Sequence, residues 1–171
     1  SKNLEEQIKT VEQSNGRFAE VPLVIAATTG TEDKETVENI SIYGFNLGTA
    51  FGIYEEVRDM LGKQGRRRAT EIEAGRFTIP LHMINEQKGF NASDYIGRVI
   101  SDDEYIGMMK KVTQFGSMRK TQDLANKYFR QAEKALNLAV NKSCFDKLAG
   151  LSKSASLEFE KIIAQAEREY Q

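Results

Sequence analysis

Residues 43–62 read YGFNLGTAFGIYEEVRDMLG, and they decide how the rest of the chain is read. Gly44, Gly48 and Gly52 recur every four residues among apolar residues at helical spacing, and Glu55, Glu56 and Asp59 follow at once. Each interior glycine weakens a helix by about 1 kcal/mol relative to alanine, so three of them need a reason. Glycines four apart share one helix face and admit the close approach of another backbone or of a ligand. Periodicity alone favours the first, tight helix packing. Glu55 and Asp59 share a face at i and i+4, with Glu56 beside Asp59 at i and i+3. Carboxylates at that spacing suit a hard divalent cation, because Mg2+ takes one or two of them together with substrate phosphates. The plainer reading is a solvated face next to Arg58.

Outward from this stretch the apolar residues keep a helical period. Leu4, Ile8 and Val11 mark a first amphipathic helix that breaks near Ser14-Asn15-Gly16, and Phe18 to Ala27 forms a second, ended by TTGT. Asp33 or a neighbour caps the long helix that carries the glycines. A polar loop, GKQGRRRATEIEAG, separates it from a helix that takes Pro80 in its first turn and runs to about Lys88. Two shorter helices are expected over 91–99 and 102–115, a long one over 120–141, and two more over 145–151 and 154–170. No alternating strand, repeat or low-complexity tract appears. The expectation is a single all-α domain over 1–171.

Composition narrows the function. With 24 basic and 25 acidic side chains, a net charge of −1 gives no overall pull toward nucleic acid or anionic lipid. Cys144 is the only cysteine, which excludes an intrachain disulfide and fits a reducing cytoplasm. VPLVIAA (21–27) is too short to span a bilayer, and SKNLEEQIKT lacks the apolar core of a signal peptide. A cytoplasmic protein with no membrane span and no nucleic-acid partner is expected.

The order of parts around the acids is more specific than the acids themselves. YGFNLGTAFGIYEEVRDMLGK followed by EIEAGRFTIPL resembles the second acidic motif region of the trans-polyprenyl diphosphate synthases. GSMRKTQDLANKYFRQAEKALNLA with FDKLAGL is similar to that family's closing helices, and TVEQSNGRFAEVPLVIAATTG to its lysine-threonine segment. The resemblance covers nearly the whole chain. It implies an isoprenoid synthase type of helical bundle, incomplete, made of the carboxyl-terminal helices. It also implies a prenyltransferase of isoprenoid biosynthesis that joins isopentenyl diphosphate to an allylic prenyl diphosphate by Mg2+-assisted ionisation of the diphosphate. Glu55, Glu56 and Asp59 then stand as metal-holding, catalytic acids. Phe51, Gly52, Lys63, Arg76 and Arg17 stand as substrate-binding residues, with the glycines keeping a cavity wall low. A homodimer or hetero-oligomer is implied.

The chain also departs from that pattern. The family's first DDxxD motif lies upstream of the part represented here, and residues 1–40 hold no substitute. Ser14 stands at the place of a diphosphate-binding lysine, with Arg17 nearby. Gly52 replaces a glutamine, Glu55 and Glu56 replace aspartates, Glu71 an aspartate and Arg76 a lysine. The missing portion must come from upstream sequence or from a partner chain. Two readings therefore stay open: half of a synthase with a variant motif, or a non-catalytic helical partner that kept the fold.

Other candidates have plain explanations. Arg66-Arg67-Arg68 reads as a solvated loop before it reads as a phosphate clamp. His82 has no visible partner, and Cys144 reads as a structural thiol. Asp102-Asp103-Glu104 opens a helix, where acids suit the positive dipole end. Phe115, Tyr128, Phe129 and Phe145 read as core aromatics. An apolar surface where missing helices would pack is expected.

Overall fold

The computed structural model describes residues 3–31, 33–62, 65, 67–85, 89–139 and 142–171, without the side chains of 142–145. Helices run over Leu4–Val11 (α1), Arg17–Gly30 (α2), Lys34–Leu61 (α3), Thr70–Glu73 (α4), Ile79–Asn85 (α5), Asp102–Gln114 (α6), Ser117–Leu138 (α7) and Lys142–Tyr170 (α8). No strand occurs among the described residues, and none of their helices is long and apolar enough to cross a membrane. The chain is all-α, as the periodicity requires.

Two compact units emerge. One, the glycine unit, comprises Lys9–Gly52 and Leu124–Phe159; the other, the acid unit, comprises Ser1–Ile8, Ile53–Asp123 and Glu160–Gln171. The division falls inside α3, between Gly52 and Ile53, just ahead of the Glu55–Glu56–Asp59 cluster.

In the glycine unit, α1 does not break at Ser14-Asn15-Gly16. A π-helical turn over Glu12–Gly16 carries it into α2. There the Ser14 hydroxyl donates to the Thr10 carbonyl (2.8 Å), which satisfies an acceptor that the wider turn releases. This turn and α2 lie on the α3 glycines. A Cβ on Gly48 would fall 2.3 Å from the Asn15 carbonyl oxygen and 2.6 Å from Ala19 Cβ. One on Gly44 would fall 2.9 Å from Glu20 Cα, and one on Gly52 would fall 2.5 Å from Val11 Cγ1. Gly16 mirrors them, since its own Cβ would meet Thr49 Oγ1 at 2.7 Å. The glycines thus permit backbone contact between helices, and the space above them is filled by the chain itself rather than by a cavity. Asp33 caps α3, its carboxylate accepting from the Glu35 and Thr36 amides at 3.3 and 3.1 Å. Tyr43, fully buried, donates to the Leu148 carbonyl (2.9 Å), and Tyr128 donates to Glu12 (2.8 Å).

The acid unit is built on a core that includes Ile53, Met60, Ile72, Ile79, Leu81, Met108 and Met109, all fully buried. Tyr105 donates to the Met60 carbonyl (3.2 Å) and packs edge-on against Tyr170 at 6.0 Å. Arg119 on α7 holds Glu167 on α8 through two hydrogen bonds of 2.7 and 2.6 Å. Pro80 sits in the first turn of α5, as expected, and its carbonyl accepts from the buried Ser117 hydroxyl.

Three further element boundaries differ from the periodicity. Residues 91–99 form a single 3-10 turn, Ala92–Asp94, rather than a helix. The Asn91 side chain takes the Ser93 amide, and Gly97 has φ of +77°, so the segment turns twice. α8 is continuous where two helices were expected. Ser152 is buried and its hydroxyl donates back to the Leu148 carbonyl (3.3 Å), so it does not interrupt the helix. Finally, α7 starts at Ser117, close behind Gly116 at φ +65°.

Candidate functional site

The three acids occupy the Ile53–Leu61 part of α3, and each has its own protein partners. Glu55 is ion-paired to Arg58, whose guanidinium also lies 5.4 Å above the Tyr54 ring. Glu56 accepts from the Gln7 side-chain amide at one oxygen and from the Ile79 backbone N–H at the other, both at 2.6 Å. It thereby ties α1 and the start of α5 to α3. Asp59 is buried at 6% exposure, and its carboxylate accepts from the Thr70 hydroxyl and from the Glu71 amide (2.9 Å). Its backbone carbonyl takes the amides of Gly62 (3.1 Å) and Ala69 (2.7 Å).

The last of these bonds matters locally. Ala69 has φ of +56°, the one described non-glycine residue with positive φ. Such a conformation persists only where its surroundings over-determine it, and Asp59 supplies that constraint. Glu56 and Asp59 together form a clasp that fastens the connection between α3 and α5.

Electrostatics follow from this burial. Desolvation pushes the Glu56 carboxyl up to about 7; the Ile79 amide and Gln7 pull it down, while the charges of Glu71 and Asp59 add to the rise. Burial alone lowers His82. His82 lies beside Phe77, ring centroids 4.2 Å apart, and its Nε2 makes no hydrogen bond among the described residues.

The remaining expected residues are placed as follows. Arg76 is exposed and paired to Glu71 (Nη2 to Oε1, 2.8 Å). Lys63 and Arg66 lie outside the described residues, as does the Cys144 side chain. Arg67 pairs with Glu73, and Arg68 pairs with Asp102 while stacking 4.0 Å over Tyr105, so neither is simply solvated. In the glycine unit, Arg17 bonds Glu20 (2.6 Å) and covers Phe45 at 5.0 Å. Phe51 meets Phe129 edge-on at 6.1 Å, and Gly52 faces Val11 and Asn15. Asp102 opens α6 behind a capping box in which Ser101 and Glu104 exchange hydrogen bonds, the capping role expected of that acidic run. Arg98, then Ser101, holds Glu104 down to about 2.

Gln7, Thr70 and the Ile79 amide were not legible as partners of the acids. Thr70 sits in the polar loop with no distinguishing spacing, and nothing in LEEQIKT marks Gln7. Among the described residues, no three of His, Cys, Asp and Glu come together as a group able to hold a metal ion. Glu55, Glu56 and Asp59 do not gather into such a group: Glu55 turns to Arg58, and both oxygens of Glu56 and of Asp59 accept from protein donors.

Comparison with known proteins gives one consistent result. No protein-family model matches the chain. A geranylgeranyl diphosphate synthase of Methanosarcina mazei is 25% identical over 137 residues, covering 78% of this chain and 42% of the relative. The crystal structure of a geranylgeranyl pyrophosphate synthetase from Pyrococcus horikoshii superposes with a TM-score of 0.77 at 21% identity, over 90% of this chain and 49% of that one. A geranylgeranyl pyrophosphate synthase from Corynebacterium glutamicum, complexed with calcium and isoprenyl diphosphate, gives 0.79 at 18% identity, over 91% and 51%. The chain thus spans about half the length of the proteins it matches. Its resemblance to the trans-polyprenyl diphosphate synthases holds in sequence, and the fold is of the same all-α isoprenoid synthase type.

Proposed function

We propose that this chain is the carboxyl-terminal half of a prenyltransferase of isoprenoid biosynthesis, which condenses isopentenyl diphosphate with an allylic prenyl diphosphate. The observation that carries the reading is the agreement of the motif order in residues 43–81 with a fold match over nine-tenths of the chain to synthases of geranylgeranyl diphosphate. On this reading the other half of the site comes from upstream sequence or from a partner chain.

Magnesium, when bound with the substrates, would neutralise the departing diphosphate. The Corynebacterium structure, with calcium and an isoprenyl diphosphate, supports a divalent cation in this type of site. Mg2+ takes one or two carboxylates plus phosphate oxygens. Glu55, partly exposed, is the acid of this chain best placed to contribute one. Glu56 and Asp59 keep α5 and the α3–α4 connection in place around it. Arg76, Arg17 and Lys63 are the cations proposed for diphosphate contact, and Phe51 the residue proposed to border the prenyl chain; Gly52, covered by Val11 and Asn15, is not.

The assembled protein, given both diphosphates and Mg2+, is expected to release a product one five-carbon unit longer than the allylic substrate. Glu55→Ala should lower that rate roughly 10²-fold, the loss seen when one electrostatic contact to a developing charge is removed. Product formation unaffected by the substitution would remove Glu55 from the site. No product from an intact assembly would leave a non-catalytic partner as the better reading.

A further inference from the structure

α2 has the composition of a buried helix and the exposure of a surface one. RFAEVPLVIAATTG is apolar around most of its circumference, yet none of its residues is buried. A helix that is apolar all round belongs inside a bundle. One side of it is accounted for, since Ala19, Glu20 and Leu23 lie against the α3 glycines. The other side carries Phe18, Val21 and Ile25, at i, i+3 and i+7, which are 85%, 55% and 60% exposed. Three large apolar side chains in one stripe mark an interaction surface.

The polar groups around the stripe are already satisfied within the chain. Glu20 accepts from Arg17 and from Ser41. The hydroxyls of Thr28 and Thr29 donate back to carbonyls of their own helix. What remains facing outward is an exposed apolar ridge with no charge that seeks a counter-charge. It suits another helix and not a phosphate, a nucleic acid or a polar peptide.

The occupant follows from the length of the matching proteins. The solved synthases superpose over nine-tenths of this chain but are only half covered by it. We propose that the Phe18–Val21–Ile25 face of α2 is the docking surface for the helical half of the synthase fold that this chain does not span. This rests on reading the chain as half of such a fold, and it identifies the element through which the halves join.

The test co-expresses this chain with the segment of the Methanosarcina mazei synthase that precedes its matched region, so that each half folds in the presence of the other. The mass of the purified complex is then read by native mass spectrometry. A one-to-one complex is expected. Val21→Glu with Ile25→Glu should weaken it at least 100-fold, whereas Leu157→Glu, on the exposed face of α8, should leave it unchanged. Circular dichroism of each variant should match the parent, because all three positions are exposed. A complex indifferent to the α2 charges would overturn the proposal. So would the absence of a complex, whether the chain is then monomeric or forms a dimer of two copies that the α2 charges dissolve. Prenyl transfer by the complex is measured separately: an α2-dependent complex without activity keeps the docking surface and removes the enzymatic reading.

Discussion

The glycine portion of α3, spaced by four, and its Glu56–Asp59 pair, spaced by three, each line up on a helix face for opposite physical reasons. In the first, Gly44, Gly48 and Gly52 remove side chains so that the π-helical turn and α2 can reach the backbone. In the second, Glu56 and Asp59 extend side chains that take amides and a hydroxyl from residues 7, 70, 71 and 79. A helical period reports which residues share a face; it does not report what lies opposite. One face is closed by van der Waals contact, the other by hydrogen bonds, and perturbing each should therefore produce different signatures.

The steepest effect belongs to Gly48. Gly48→Ala would set a methyl group 2.3 Å from a carbonyl oxygen of the π-helical turn, where only backbone movement can relieve it. Overpacking of this kind outweighs the helix preference for alanine, and a net loss of about 3 kcal/mol is expected. Thermal unfolding would show it as a fall of roughly 6–12 °C for a domain of this size. Gly52→Ala should cost less, because its nearest contact is Val11 Cγ1 rather than a carbonyl oxygen, although Asn15 Cβ at 2.8 Å moves only with its backbone. Equal losses at both positions would break this contrast.

Next comes Asp59. Asp59→Ala leaves the Thr70 hydroxyl and the Glu71 amide without their acceptor, worth about 2 kcal/mol. Limited proteolysis is the sharper readout, because the loss should concentrate cleavage in the Arg66–Arg68 stretch without loosening the glycine unit. A variant as stable and as protease-resistant as the parent would show that the clasp does not fasten this connection.

Glu56 adds a pH dependence. Its folded carboxyl titrates near 7, above the ordinary carboxylate value of 4.5, so between those values the native state binds more protons than the unfolded chain. Its contribution to stability is therefore fully present below 4.5 and lost as pH rises through 7, by about 3 kcal/mol. His82 acts in the opposite sense: burial lowers it, so its contribution fades as pH falls below its ordinary 6.5. Denaturant titrations from pH 5 to 8 should show Glu56→Gln flattening the decline toward alkaline pH. An unchanged slope would mean that Glu56 is solvated in the folded protein.

What the sequence made legible follows the same line. The helical class, the Asp33 cap, the acidic opening of α6 and the tight packing at the glycines all depend on neighbours a few residues away, and local spacing carries that information. The π-helical turn at 12–16 was read as a break because serine, asparagine and glycine together usually stop a helix; contact with α3 overrides them. The two closing helices merged for a comparable reason, once Ser152 turned its hydroxyl inward. Gln7 and Thr70 as acid partners were out of reach, since nothing local ties residue 7 to residue 56. The acids do lie on α3 with the glycines, but their spacing carries nothing of the hydrogen bonds that Glu56 and Asp59 make.

The smallest predicted effect is also the control for the largest. Gly107 lies in the middle of α6, and a Cβ built on it meets nothing within 4 Å. It shares with Gly48 the helical setting but not the close neighbour. Gly107→Ala should therefore show helix preference alone, a gain of about 1 kcal/mol and a rise of roughly 2–4 °C in Tm. The sign is the informative part. If alanine stabilises at 107 and destabilises at 48, the cost of the α3 glycines is offset by contact with the π-helical turn, and helix preference is the same in both units. If alanine destabilises at 107 as well, open space around a glycine does not identify it as replaceable, and the distances at Gly44, Gly48 and Gly52 lose their power to rank those positions.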